Sequence, residues 1–144
     1  MSAEQNAQIV RDSLEAAFHC NWERLRDTYD ANATLKGGSL EVRGNDAIVN
    51  LWRGCHEEEK QFDGEILNVV ASGDMVAIEF RHCGLVNELL PGMPEALLGK
   101  RFEAKEVHMC NVRDGKIIST IIYSGFGHSP DIPIKNIWVV DETG

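Results

Sequence analysis

Phe102-Glu103-Ala104-Lys105-Glu106-Val107-His108-Met109-Cys110-Asn111-Val112-Arg113-Asp114-Gly115-Lys116-Ile117-Ile118-Ser119-Thr120-Ile121-Ile122-Tyr123 is the stretch on which the reading of this chain turns. Two β-rich runs flank Asp114-Gly115, and Asp-Gly in that setting is a strong two-residue hairpin signal. If Arg113 pairs with Lys116, then Val112 faces Ile117, Cys110 faces Ser119, His108 faces Ile121 and Glu106 faces Tyr123. Alternation puts Phe102, Ala104, Glu106, His108, Cys110 and Val112 on one face. Arg101, Glu103, Lys105, Val107, Met109 and Asn111 share the other. The first set is more apolar and is expected to face the core. One extra residue at the hairpin would instead turn Tyr123 outward and bring Ile122 in.

Upstream, the period of two continues. Extended runs are expected at about 63–72, 75–86, 100–113 and 116–126, broken by Ser72-Gly73-Asp74 and by a long 87–99 connection. In the second run Val76, Ile78, Phe80 and His82 form a face that matches the inward set, while Glu79 and Arg81 point out. Before Phe62 the period is helical. Ser2-Ala3-Glu4-Gln5 has capping-box form, followed by Ala7, Val10, Leu14, Ala17 and Phe18 at helical spacing. Asn21 can cap a second helix with Trp22, Leu25 and Tyr29 in one stripe. Short extended pieces at Ala33–Lys36 and Leu40–Val42 join through Gly37-Gly38. Gly44-Asn45 opens a third helix with Ala47, Ile48, Leu51, Trp52 and Cys55 on one face and Glu57-Glu58-Glu59 at its polar end. Helices followed by consecutive antiparallel strands predict an α+β fold, with helices covering a curved antiparallel sheet around a small apolar pocket. The 144 residues suit a single domain, 1–144. Its 127–144 extension, with Ile132, Ile134, Ile137, Trp138, Val139 and Val140, is too apolar for a free tail and is expected to pack on the body or on a second subunit.

With 23 acidic residues against 14 basic ones and a net charge of -9, no nucleic-acid partner is expected, because a phosphate backbone would be repelled. No apolar run approaches the roughly 18 residues that span a bilayer, and no export signal is read at the polar N-terminus. A soluble cytoplasmic protein with no membrane partner is therefore expected. Cys20, Cys55, Cys83 and Cys110 lack a Cys-x-x-Cys pair and read as reduced thiols. Each lies near a histidine, but neighbours on a strand such as His82 and Cys83 point to opposite faces, so no metal site is expected.

Glu106 and His108 on the inward face, with Tyr123 opposite and His82 on the adjacent strand, form the candidate catalytic group. Burial raises a carboxyl pKa and lowers that of an imidazole, which moves both toward the range of proton transfer. A satisfied core network is the structural alternative. The pocket walls would be Trp22, Tyr29, Trp52, Phe80, Phe102, Cys110 and Ile121, and the helical aromatics among them equally suit a plain core. His19 and His56, near helix ends, are expected to be exposed, and His128 reads as a loop residue. The sequence contains no Gly-x-Ser-x-Gly elbow, P-loop or dinucleotide fingerprint.

The order of these parts resembles the nuclear transport factor 2-like superfamily, and within it the SnoaL-like polyketide cyclase and ketosteroid isomerase-like branch. The resemblance rests on Trp22-x-x-Leu25-x-x-x-Tyr29-Asp30-Ala31-Asn32-Ala33-Thr34-Leu35, Gly44-Asn45-Asp46-Ala47-Ile48, Leu90-Pro91-Gly92-Met93-Pro94 and Val112-Arg113-Asp114-Gly115-Lys116-Ile117-Ile118, and covers roughly residues 8 to 126. It implies a cone-shaped (cystatin-like) α+β barrel with a deep pocket, and a homodimer through the outer sheet face, where Val107, Met109, Ile118 and Ile122 are expected. It also implies cofactor-free acid/base chemistry on a small apolar organic ligand, by an isomerase, cyclase, dehydratase or epoxide hydrolase. His108 falls where ketosteroid isomerase-like proteins place the acid that stabilises an enolate oxygen. Their general-base position is Gly37 here and their helix-one tyrosine is Ser13. The aspartates that SnoaL-like proteins often carry on the last strand are Tyr123 and Phe126. The reading is thus a cofactor-independent isomerase, cyclase or hydro-lyase, with a non-catalytic ligand-binding or dimerisation module of the same fold as the alternative.

Overall fold

The computed structural model describes residues 1–38, 40–56, 62–89 and 94–128, the last four of these through their backbone. Three helices, α1 (Ala3–Phe18), α2 (Trp22–Thr28) and α3 (Asn45–His56), accompany six strands. The strands are β1 (Tyr29–Gly37), β2 (Leu40–Arg43), β3 (Gly64–Ser72), β4 (Met75–Leu85), β5 (Arg101–Arg113) and β6 (Lys116–His128). The expected runs are thus met within one or two residues. No helix among the described residues is long and apolar enough to cross a membrane.

Local chemistry sets the helix starts. The Gln5 backbone N–H donates to Ser2 Oγ at 3.1 Å, and the Ser2 N–H donates back to Gln5 Oε1 at 2.8 Å, closing the capping box. Asn21 Oδ1 accepts from the Arg24 N–H at 3.2 Å to open α2. Tyr29 does not extend the α2 stripe, because it is the C-cap and already the first residue of β1. At the β5–β6 turn Asp114 and Gly115 both have positive φ, 51° and 78°, as a type I′ hairpin requires.

The strands form one sheet in the order β2-β1-β6-β5-β4-β3. Its pairs are antiparallel except β1 with β6, which run parallel, so the sheet is mixed rather than wholly antiparallel. That pairing joins residues as far apart in the chain as Tyr29 and Ile117, where no turn residue can announce direction. With β2 and β3 as its edges, the curved sheet is also unclosed, an open half-cone where the family resemblance implied a barrel.

A second correction concerns β6. From Arg113↔Lys116 and Val112↔Ile117 the register jumps to Asn111↔Ser119, leaving Ile118 as an extra residue. Such a bulge sets two residues of one strand against one of its partner and reverses side-chain parity beyond it. His108 therefore lies opposite Ile122, not Ile121, and Glu106 opposite Ser124, not Tyr123. Tyr123 is 60% exposed and Ile121 is 44% exposed, both on the outer face beside Val107 and Met109. Ile122 moves from the expected outer face to pack against the core.

Val10, Leu14, Ala17 and Phe18 of α1 and Ile48 and Trp52 of α3 close over Ala33, Leu35, Val76, Ile78, Phe80, Val112 and Ile117. Each large apolar side chain so buried contributes about 1.5–3 kcal/mol. The approach of α1 to β3 depends on one missing side chain. A Cβ at Gly64 would lie 2.5–2.7 Å from three ring carbons of Phe18, whose ring is held by Phe62 and Phe80. Gly64→Ala is therefore expected to lower stability by about 1–3 kcal/mol through overpacking, read as an earlier urea midpoint at unchanged slope. An unchanged midpoint would show that Phe18 gives way freely.

Candidate functional site

Alternation along β4 and β5 places the candidate group. Phe80 and His82 on β4, and Phe102, Ala104, Glu106 and His108 on β5, all face the helices. Phe80 lies directly opposite Glu106, and His82 opposite Ala104. Glu106 thus has His108 two residues along its own strand and His82 on the diagonal, both within side-chain reach. Its Oε2 lies 3.3 Å from His108 Nε2 and 3.4 Å from His82 Nε2, with side-chain exposures of 3% for His108, 7% for His82 and 11% for Glu106.

These distances exceed the 2.7–2.9 Å typical of a charge-assisted hydrogen bond. In agreement, neither Nε2 makes a hydrogen bond of good geometry, and His82 Nδ1, also buried, has none. The contacts are ion-pair contacts, short of saturated hydrogen bonds. Burial opposes ionisation of Glu106, but the His82 charge and the hydrogen-bonding capacity of both imidazoles outweigh it. The carboxyl is consequently held well below its usual range. Burial alone would raise it, as expected from the sequence, and the sign reverses because two imidazoles converge on one oxygen.

Aromatic rings frame the cluster. Trp52 stands 5.5 Å from the His82 ring and 6.4 Å from that of His108, while Phe80 and Phe102 meet His108 and His82 edge-on at 4.7 and 5.4 Å. Of the expected walls, Trp52, Phe80 and Phe102 are therefore beside the cluster, and the others are elsewhere. Trp22 is half-buried against the core, and Ile121 points outward. Tyr29 and Cys110 belong to a separate polar group with Ser13 and Thr120, where Cys110 Sγ lies 3.5 Å from Thr120 Oγ1. Burial pushes the Cys110 thiol up to about 11, partly offset by Thr120, and holds the Tyr29 phenol above its ordinary value.

The residue that sequence reasoning missed is His56. Expected to be exposed, it is 1% exposed, stacked on Phe62 at 3.5 Å and 7°, with His82 at 5.7 Å. The signal was present, since Ile48, Trp52 and His56 recur every fourth residue on one face of α3. Gly84 leaves room for this ring, because a Cβ there would meet His56 at 2.3 Å. Burial and the neighbouring His82 charge hold His56 down at about 3, against a weaker opposing pull from Glu106.

A cleft of about 180 Å³ lies on the other side of α3. Val42, Ala47, Asn50, Leu51, Gly54, Cys55 and Glu88 line it, and none of the expected wall residues does. Burial, followed by the charges of Glu106 and Glu88, pushes the Cys55 thiol up to about 12. Among the described residues no group of three or more His, Cys, Asp or Glu is arranged to hold a metal ion. The side chain of His128 and residues 129–144, and with them the expected docking of the tail, lie outside the described residues.

This helix-then-sheet order, with inward β4 and β5 faces converging on one buried cluster, agrees with the comparison by family. The model of the SnoaL-like domain matches residues 10–120, most of the chain. The chain belongs to the SnoaL-like family. Among curated proteins none matches the sequence. Solved structures of similar fold include Bal32a from a soil-derived mobile gene cassette, 22% identical, TM-score 0.68, covering 85% of this chain and 90% of that one. A candidate SnoaL-like polyketide cyclase from Jannaschia sp. CCS1 is 18% identical, TM-score 0.68, with 85% and 86% covered. An LEH-like epoxide hydrolase of M. tuberculosis is 15% identical, TM-score 0.64, with 85% and 84% covered. At these identities the likeness is one of fold. At Gly37, where the family resemblance implied a general base, a Cβ would lie 3.0 Å from Ile122 Cβ, so any larger residue there needs Ile122 to shift by a few tenths of an ångström.

The buried imidazole gives a pH signature. Between its unfolded value near 6.5 and its folded value of about 3, His56 binds a proton in the unfolded state only. Stability therefore falls as pH falls through that window, by up to about 1.4 kcal/mol per pH unit. The stability contributed by Glu106 is present above its unfolded 4.5 and is lost only below it, so the decline above about pH 5 reports His56 separately. Urea unfolding from about pH 6.5 to 5 is expected to lose roughly 2 kcal/mol more in the wild type than in His56→Gln. Identical pH slopes would place His56 in water.

Proposed function

We propose that this SnoaL-like protein is a cofactor-independent acid/base enzyme, an isomerase, cyclase or hydro-lyase acting on a small apolar carbonyl compound, with His82, Glu106 and His108 as its catalytic group. The observation that carries this is the shared contact of Glu106 Oε2 with both Nε2 atoms while His82 Nδ1 is buried and lacks a hydrogen bond. A carboxyl held so far below its usual range is a poor proton acceptor, so Glu106 is the orienting partner rather than the base. Against Nε2–H it fixes the His82 tautomer that leaves a lone pair on Nδ1, and it stabilises the imidazolium formed there. His82 Nδ1 takes the proton α to the carbonyl, and the electron pair of the broken C–H bond moves into the enolate. Returning the proton to another carbon isomerises the substrate; attack of the enolate carbon on a second carbonyl of the substrate, whose oxygen takes the proton from His82, cyclises it; and expulsion of a β-hydroxyl, which leaves as water with that proton, dehydrates it. His108 braces the carboxylate from the second side. Tyr123, on the outer face, has no part in this group. The name of the cyclase of similar fold is consistent with chemistry of this kind.

The common first step can be tested without the natural substrate. Deuterium uptake by 2-tetralone in D2O, followed by NMR, is expected to be accelerated by the wild type. His82→Gln and Glu106→Gln are each expected to slow the enzyme-dependent rate by about 10²–10⁴ while keeping a cooperative unfolding transition. Wild-type uptake at the buffer rate, or equal rates in all three proteins, would remove the assignment. The second reading is a non-catalytic ligand-binding module, favoured by Gly37 carrying no side chain where the resemblance implies a general base, with Ile122 Cβ only 3.0 Å from where one would begin. It is selected if 2-tetralone stabilises the fold without exchanging.

We also infer a homodimer through the outer sheet face, where the bulge gathers Val107, Met109, Ile121 and Tyr123. Light scattering is expected to give twice the chain mass for the wild type and a monomer for Tyr123→Glu. A monomeric wild type refutes the pairing.

A further inference from the structure

The cleft beside α3 is not used by the acid/base cluster, and its lining is selective. Val42 from β2 and Ala47, Leu51, Gly54 and Cys55 from α3 supply apolar wall, with Cys behaving as a small hydrophobe. Among the described residues Asn50 and Glu88 are the only polar side chains that line it, and no cation does. A cavity of about 150 Å³ accepts benzene, so about 180 Å³ fits one ring with a short substituent.

Glu88 sits over this wall. A Cβ at Gly54 would come within 3.7 Å of Glu88 Oε2, so the carboxylate reaches across the helix where a side chain is missing. Among the described residues Glu88 makes no ion pair or hydrogen bond. An unpaired carboxylate above an apolar wall favours a ligand that brings the missing positive charge, and the net charge of -9 draws cations toward the surface. The Cys55 thiol feels both Glu88 and Glu106, so the cleft and the buried cluster are neighbours across one residue of α3.

We propose that this cleft is a binding subsite for a small aromatic or alicyclic amine, its ring against Val42, Ala47, Leu51 and Gly54 and its ammonium on Glu88, with Asn50 as a second hydrogen-bonding group. The subsite stands apart from the acid/base reading because its readout is binding: a protein that exchanges no deuterium can still pass or fail it.

Calorimetric titration with 2-phenylethylamine, 2-phenylethanol and phenylacetate, at one fixed salt concentration, tests it. The amine is expected to bind at least about tenfold more tightly than the acid, with the alcohol between them. Glu88→Gln, a change at an exposed side chain, is expected to weaken amine binding about tenfold and leave the alcohol within about twofold. Ala47→Phe, which fills the cleft, is expected to weaken both the amine and the alcohol. Failure of the amine to bind, equal affinity for amine and acid, or an unchanged amine affinity in Glu88→Gln would overturn the proposal.

Discussion

One unpaired residue, Ile118, decides what the interior of this protein is made of. By adding a residue to β6 opposite a single position of β5, it reverses the parity of the side chains that follow as far as Ser124, before a second register shift beyond Gly125. Thr120 and Ile122 turn in, while Ile121 and Tyr123 turn out. Three consequences follow from the one shift. The phenol leaves the neighbourhood of Glu106. Ile122 comes within 3.0 Å of where a side chain at Gly37 would begin, so the adjacent strand can carry no larger residue there without moving. Thr120 meets Cys110 and Tyr29, which gives the buried thiol a hydroxyl partner and the phenol a second one beside Ser13.

With the phenol outside, the interior charge rests on Glu106 and two imidazoles. Removing a carboxylate from water costs several kcal/mol, and attraction to partners repays it only when the geometry is good. Here the geometry is indifferent, with contacts of 3.3 and 3.4 Å and no well-aligned hydrogen bond. A core built for stability alone would do better with apolar side chains of the same volume. An interior that keeps a carboxylate and leaves His82 Nδ1 without a hydrogen bond holds one polar atom with its bonding capacity unused.

Much of the architecture was legible because its signals are local. Ser2 with Gln5, Asn21, and Asp114-Gly115 each act within four residues, and each formed as its chemistry requires. The inward faces of β4 and β5 were legible because polar and apolar residues alternate cleanly there. The bulge was not, because Ile117-Ile118-Ser119-Thr120-Ile121-Ile122 offers apolar, β-branched residues in both parities, and either register buries a comparable face. The parallel pairing of β1 with β6 was hidden for another reason. It is set by which sheet edge remains free once the hairpins have formed, a property of the assembled sheet. His56 was misplaced by its nearness to a helix end, although its spacing from Trp52 carried the information.

His56 also shows how differently two neighbouring imidazoles are treated. Its ring lies 5.7 Å from that of His82, yet it is packed flat on Phe62 in the space Gly84 leaves, while His82 reaches the carboxylate. Burial against an aromatic face penalises the charged form, and the proximity of a second imidazole adds to the penalty. His56 is thereby kept neutral and acts as a polarisable wall. Because it carries no charge of its own, it does not compete with His82 for Glu106, and that carboxylate stays committed to the two histidines on the sheet. The division of labour rests on which element carries each ring: α3 delivers His56 to the aromatic side of the site, and the β4–β5 register delivers His82 and His108 to the acid.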